Sequence, residues 1–175
     1  WRLSLDEIKW LFDWHLVRGN NLINPHALYY SIRGRRAWES EPDLGVHNVW
    51  WPHVGHLLRY AGRLSWLLSD AEPVIETAIV GQPSALPWSV AARLLTTQRD
   101  FTYIGPADVV AGRVRCGRLH VGGAAYTTVL VDGDPDPEDR CDWRARLQQL
   151  RESGGTVVWH EDDPAGLPAS LSCPH

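Results

Sequence analysis

Between Gly19 and Ser31 the chain reads Gly-Asn-Asn-Leu-Ile-Asn-Pro-His-Ala-Leu-Tyr-Tyr-Ser, with Asn24, His26, Tyr29 and Tyr30 crowding the far end of a short apolar run. A strand whose exit is packed with hydrogen-bonding and aromatic side chains is how a parallel α/β scaffold usually presents a polar site. The same residues also suit a buried turn with satisfied polar groups. A second group, His47, Trp50, Trp51 and His53, closes the irregular stretch that follows. An adjacent tryptophan pair beside two histidines can stack on a flat or ring-shaped ligand, or staple the next helix to the core.

Acidic groups form two further clusters. Glu39, Glu41 and Asp43 lie in the irregular stretch, and Asp132-Gly133-Asp134-Pro135-Asp136 looks like the start of a calcium loop. The calcium pattern fails at its sixth position, Pro137 in place of glycine, and at its twelfth, Trp143 in place of glutamate. The stretch therefore reads as an acidic loop ahead of a helix, where the helix dipole favours it. Cys116, Cys141 and Cys173 are odd in number and match neither a disulfide framework nor a Cys-x-x-Cys zinc pattern. No metal and no cofactor is expected.

Elements must position these groups. Ser4-Leu5-Asp6-Glu7 is a capping box, followed by Ile8, Leu11, Phe12, His15 and Leu16 at helical spacing and by Gly19 as a left-handed stop. On that stripe His15 reads as a packing residue. Leu22-Ile23 begins a short strand whose outer end Pro25 makes irregular. Residues 31–52 have no period, and connections this long inside a domain are often functional. Val54, Leu57, Leu58, Ala61, Leu64, Ser65 and Leu68 then share the stripe of a second helix, with Arg59 and Arg63 opposite.

Asp70-Ala71-Glu72-Pro73 breaks that helix and marks a domain boundary. Beyond it, strands at 74–80, 101–104, 127–131 and 156–159 alternate with helices at 84–98 and 138–153, the first tolerating Pro87 in its first turn. A single helical turn at 108–111 and a hairpin at 113–120 lie between. Such alternation implies a parallel sheet covered on both faces. The turn Gly81-Gln82-Pro83-Ser84-Ala85-Leu86-Pro87 carries neither a flavodoxin phosphate loop nor Gly-x-Gly-x-x-Gly. The turn after Val131 has no cysteine for an amidotransferase. This region reads as a sheet domain without its own active site, serving packing or oligomerisation.

At 175 residues, with 44% hydrophobic and 22% charged residues, the composition is that of an ordinary globular chain. A net charge of −4 gives no basic footprint, which argues against nucleic acid. No apolar run is long enough for a membrane span, and no signal peptide is evident. A chain beginning at Trp1 without any methionine is expected to be a piece of a longer protein.

The run Lys9-Trp10-x-x-Asp13-Trp14-x-x-x-Arg18-Gly19-x-Asn21-x-x-x-Pro25-His26-Ala27-x-Tyr29-Tyr30-Ser31 resembles the last part of the catalytic barrel in bacterial glycoside hydrolases of the α-L-rhamnosidase-like group, with the β-galactosidases of the same clan next. Trp50-Trp51-Pro52 and Tyr60-x-x-Arg63-Leu64-Ser65-Trp66-Leu67-Leu68 resemble the segment after the barrel's final strand. In those enzymes a flavodoxin-like, class I amidotransferase-like domain without catalytic residues follows, and residues 73–160 are similar in order and length.

The resemblance implies an α/β chain in three parts. Residues 1–72 would form the C-terminal portion of a (β/α)8 barrel, 73–163 a flavodoxin-like parallel-sheet domain, and 164–175 a loose tail. It also implies that the two catalytic carboxyl groups of glycoside hydrolysis lie on earlier barrel strands, so no residue here is catalytic and the chain alone is inactive. A barrel takes about 250 residues, and only its last helix, strand and helix would be present. The implied substrate-binding residues are His26, Tyr29, Tyr30, His47 and Trp50. His26 would bind a sugar hydroxyl or orient a carboxylate, one of the adjacent tyrosines would face the pocket, and His47 with Trp50 would line it from the loop.

The expected partners are a carbohydrate substrate and a second copy of the chain through the α/β domain, with no nucleic acid and no membrane. The absent signal and unpaired cysteines point to the cytoplasm, with a secreted parent as the alternative. The rival readings are a non-catalytic assembly or sugar-binding module, and an amidotransferase should Cys116 or Cys141 stand beside a histidine at a strand end.

Overall fold

In a computed structural model of the chain, Ser4 caps helix α1 (Leu5–Leu16): its Oγ accepts from the Glu7 N–H at 3.3 Å, and Glu7 Oε2 accepts from the Ser4 N–H at 2.7 Å. The structure describes residues 3–26, 28–38, 43–133 and 142–159. The turn that follows the helix closes at Gly19, whose φ of 91° only glycine adopts without strain. The chain divides into two compact units, Trp1–Pro73 and Val74–His175.

In the first unit α1 packs on α2 (Val54–Ser69). Ile8 and Phe12 meet Leu57 and Ala61, and Leu3, Leu5, Ile23, Leu44 and Trp50 close around them. The strand expected at Leu22–Ile23 does not form, and among the described residues this unit contains no β-strand. The physical reason is pairing: an extended segment becomes a strand only against a neighbour, and none is present among the described residues of this unit. Short 3-10 turns at Gly34–Trp38 and Trp51–His53 interrupt the connection to α2.

A polar clamp fastens the two helices. Asp13 accepts from Lys9 Nζ at 2.6 Å and from the Tyr60 hydroxyl at 2.5 Å, and the Lys9 ammonium sits 4.6 Å from the centre of the Tyr60 ring. The Lys9 and Tyr60 hydrogen bonds lower the Asp13 pKa below its ordinary 3.8, and those to Asp13 and Tyr60 raise that of Lys9 above 10.5. The stability from Asp13 is present above 3.8 and lost as pH falls through its depressed value; that from Lys9 is present below 10.5 and lost as pH rises through its raised value. The clamp is thus whole between those limits. Both groups are solvent-exposed, so the effect is small. In Asp13→Asn the acid-side loss of stability below about pH 4 is expected to become shallower in urea titrations, and an unchanged slope would contradict the assignment.

The second unit is built on a parallel sheet in the order β2-β1-β6-β7 (Thr102–Ile104, Thr77–Val80, Thr128–Val131, Thr156–Trp159). Helix α3 (Trp88–Thr96) links β1 to β2, and α5 (Trp143–Glu152) links β6 to β7. The two crossovers run outward in opposite directions from the central pair, and their helices pack on opposite faces, as crossovers of one hand require. The side chains alternate accordingly. Ala78, Val80, Val129 and Val131 face α4 (Pro106–Ala111) and α5, whereas Ile79 and Leu130 face Val90, Ala91 and Leu94 of α3. Burial on both faces explains why β1 and β6 are apolar after their opening threonines, Thr77 and Thr128, which are themselves buried. This is an α/β fold compatible with a flavodoxin-like domain.

Four details differ from expectation. The strand expected at 74–80 begins at Thr77, and Val74 is exposed. Helix α3 begins at Trp88, because Pro87 is its extended N-cap residue and Gln82 bridges Ala85 ahead of it. Helix α4 runs six residues. The hairpin β3–β4 (Arg113–Arg115, Arg118–Val121) gains a third antiparallel strand, β5 (Ala124–Tyr126), after the Gly122-Gly123 turn. Gly155 lets the hairpin turn approach the start of β7: a Cβ there would lie 2.9 Å from the Gly117 carbonyl oxygen and collide with Leu150. Residues 134–141, which include the start of the expected last helix and most of the calcium-like loop, and the tail 164–175 lie outside the described residues.

Candidate functional site

The first unit contains a cleft of about 530 Å³ between α1 and the extended segment. Ile8, Leu11, Phe12, Leu22, Ile23 and Leu44 supply apolar walls, and His15, Asn20, Asn24 and His26 supply polar groups. An apolar surface with a few converging donors and acceptors is the ordinary constitution of a small-ligand site.

His15 was expected to pack inward, but it is exposed. The α1 residues that face the core are Ile8, Phe12 and Leu16, and His15 falls just outside their stripe. Past the helix end, Asn20 Nδ2 reaches back to His15 Nδ1 and to the His15 carbonyl oxygen, both at 3.2 Å. A ring whose Nδ1 accepts carries its proton on Nε2, so this imidazole offers a donor. Pattern reading missed it because helical spacing marks position and not the last few degrees that separate wall from rim.

Of the five residues expected to bind substrate, His26 lines this cleft and is exposed; Tyr29, Tyr30, His47 and Trp50 are not among its described walls. Tyr29 is half-buried and Tyr30 is 97% exposed, so the adjacent tyrosines do diverge. His47 is exposed in a turn. Trp50 donates from Nε1 to the Leu3 carbonyl oxygen at 3.0 Å and joins the helix-pair core, which makes it a staple for α1.

Asp43 organises the loop beside the cleft. It is fully buried, and its Oδ1 accepts from the N–H of Gly45 at 2.8 Å and of Tyr29 at 3.3 Å. Its carbonyl oxygen accepts from Asn48 Nδ2 at 3.1 Å. These bonds tie the extended segment to residues 43–48 and set Leu44 against the cleft. Oδ2 is buried without a hydrogen-bond partner among the described residues. Glu39 and Glu41 lie outside them.

In the second unit the sheet order reverses between β1 and β6, where open α/β sheets bind ligands. Here Ser89 Oγ, at the start of α3, donates to Asp132 Oδ2 at 2.5 Å and bridges the two strand ends. Cys116 occupies the two-residue turn of an antiparallel hairpin and not a strand-to-helix turn, so it lacks an amidotransferase nucleophile's setting. Cys141 is outside the described residues. Among the described residues no helix is long and apolar enough to cross a membrane.

Comparisons with protein-family models, curated proteins and solved structures find no match to this chain.

Proposed function

We propose that this chain supplies the end of a glycoside hydrolase barrel and the α/β unit after it, within a protein that cleaves a terminal sugar such as α-L-rhamnose from a glycoside. The observation that carries the reading is the extended segment between α1 and α2. It has no ladder partner among the described residues of its own unit, and Leu22, Leu28 and Tyr30 stand 77, 70 and 97% exposed. A helix, an unpaired extended segment and a helix form a unit that is completed by neighbouring strands, as each βα unit of a barrel is. His15, Asn20, Asn24 and His26 then form one edge of a sugar pocket, with hydrogen-bonding groups suited to hydroxyls. The acid and the nucleophile or base of hydrolysis come from the preceding strands. The parallel order of the second unit is compatible with the sheet domain that follows the barrel in the enzymes the sequence resembles.

The chain alone is expected to release no nitrophenol from p-nitrophenyl α-L-rhamnoside or β-D-galactoside. A protein extended upstream through the barrel should release it from one of them, and His26→Ala in that protein should lower kcat/KM about tenfold or more. Release by the chain alone, or an extended, folded protein inert on a panel of aryl glycosides, would overturn the reading. The second outcome would favour a non-catalytic assembly module, the reading that the structural hydrogen bond of Trp50 supports.

A further inference from the structure

The edge of β3 carries an arrangement that the sugar reading does not use. Cys116 and Gly117, with φ of 48° and 71°, form a two-residue turn of type I′ sign. In such a hairpin the residues flanking the turn, Arg115 and Arg118, are the hydrogen-bonded pair. The next pair, Val114 and Leu119, is not hydrogen-bonded, so the N–H and C=O of Val114 point away from β4 along the open edge of the sheet. Val114 and Leu119 turn their side chains to the core. Alternation therefore places Arg113, Arg115, Arg118 and His120 together on the other face.

Like charges directly opposite one another weaken an antiparallel pair. Among the described residues, Arg118 has an offsetting carboxylate, Glu76 at 3.0 Å, and Arg113 and Arg115 have none. A groove of about 580 Å³ runs along this edge, between residues 111–115 and the Arg146 and Gln149 side of α5. Arg146 is held there by neutral acceptors, the Val110 carbonyl oxygen at 3.1 Å and Gln149 Oε1 at 2.9 Å. Three arginines thus border a groove whose floor is a strand edge that is unpaired among the described residues. Arginines on an edge also discourage self-pairing, but that role requires neither a groove nor a third arginine from the facing helix.

We propose that this groove docks an extended acidic polypeptide segment, which adds to β3 as a further strand. Val114 supplies two main-chain hydrogen bonds, and carboxylates at alternate positions of the added strand lie opposite Arg113 and Arg115. Strand addition takes affinity from the main chain and selectivity from alternate side chains, and arginine binds carboxylate in paired, planar geometry.

The test uses the full chain and fluorescence anisotropy with a labelled peptide alternating Glu and Thr. Its controls are the same peptide N-methylated at alternate amides, in both registers, and a peptide alternating Lys and Thr. The Glu–Thr peptide is expected to bind and the Lys–Thr peptide not to bind. One N-methylated register should bind about tenfold or more weakly, and Arg113→Ser/Arg115→Ser, with circular dichroism unchanged, should weaken binding about tenfold or more. No binding of the Glu–Thr peptide, or equal binding by the folded double variant, would overturn the proposal. Equal binding of both N-methylated peptides would replace it with a simple anion site.

Discussion

Replacing Trp143 by alanine is expected to lower the stability of the α/β unit by about 3–5 kcal/mol. Trp143 is the largest fully buried side chain among the described residues, and it opens α5. Its ring lies 5.6 Å from that of Trp159 at an interplanar angle of 40°, within the cluster that contains Val80, Leu119, Val131 and Leu147. Truncation would remove both the transfer free energy of an indole and the contacts of its neighbours across the resulting cavity. Phenylalanine makes a discriminating companion. The indole Nε1 is buried without a hydrogen-bond partner among the described residues, and a phenyl ring deletes that unsatisfied donor while filling much of the space. Trp143→Phe should therefore cost about 1–2 kcal/mol. Urea unfolding followed by far-ultraviolet circular dichroism reads both variants, and each kcal/mol corresponds to roughly 4–8 °C in Tm for a domain of this size. An alanine variant within about 1 kcal/mol of the parent would contradict this account of the core.

Asp43→Ala is the second large effect, and it falls in the helical unit. Alanine would leave the N–H groups of Tyr29 and Gly45 without the acceptor that Asp43 Oδ1 provides, each costing about 1–3 kcal/mol where water does not replace it. A loss of about 2–4 kcal/mol is expected, together with faster hydrogen exchange at those two amides. Asp43→Asn should cost less than alanine, because an amide oxygen accepts the same two bonds, although an NH2 then stands where Oδ2 has no hydrogen-bond partner among the described residues. If asparagine were as damaging as alanine, the charge itself would be required, and loop anchoring would not be the role of this residue.

The candidate site was partly legible. His26 and Asn24 stood out as polar residues at the end of an apolar run, and the cleft contains both. Its other polar groups escaped notice, because His15 and Asn20 meet only where the chain turns back at Gly19. Trp50 and His47 were drawn toward the site by residue type and by the resemblance. Type does not say which way a ring points, and the hydrogen bond from Trp50 to Leu3 spans 47 positions.

What the sequence determined by itself was everything governed by near neighbours. The Ser4–Glu7 box, the apolar stripe of α2, the stop at Gly19 and the doubly buried strands Thr77–Val80 and Thr128–Val131 all follow from capping chemistry and periodicity. The tertiary structure decided what depends on partners remote in the chain. It set the order β2-β1-β6-β7, left the segment after Gly19 extended with no strand partner among the described residues, and buried Asp43. A strand exists only against its neighbour and a polar side chain is settled only by its partners. For the residues from Gly19 to Ser31, local pattern identified a polar segment, and packing alone determined that His26 stands at the rim of a cleft while Tyr30 faces solvent.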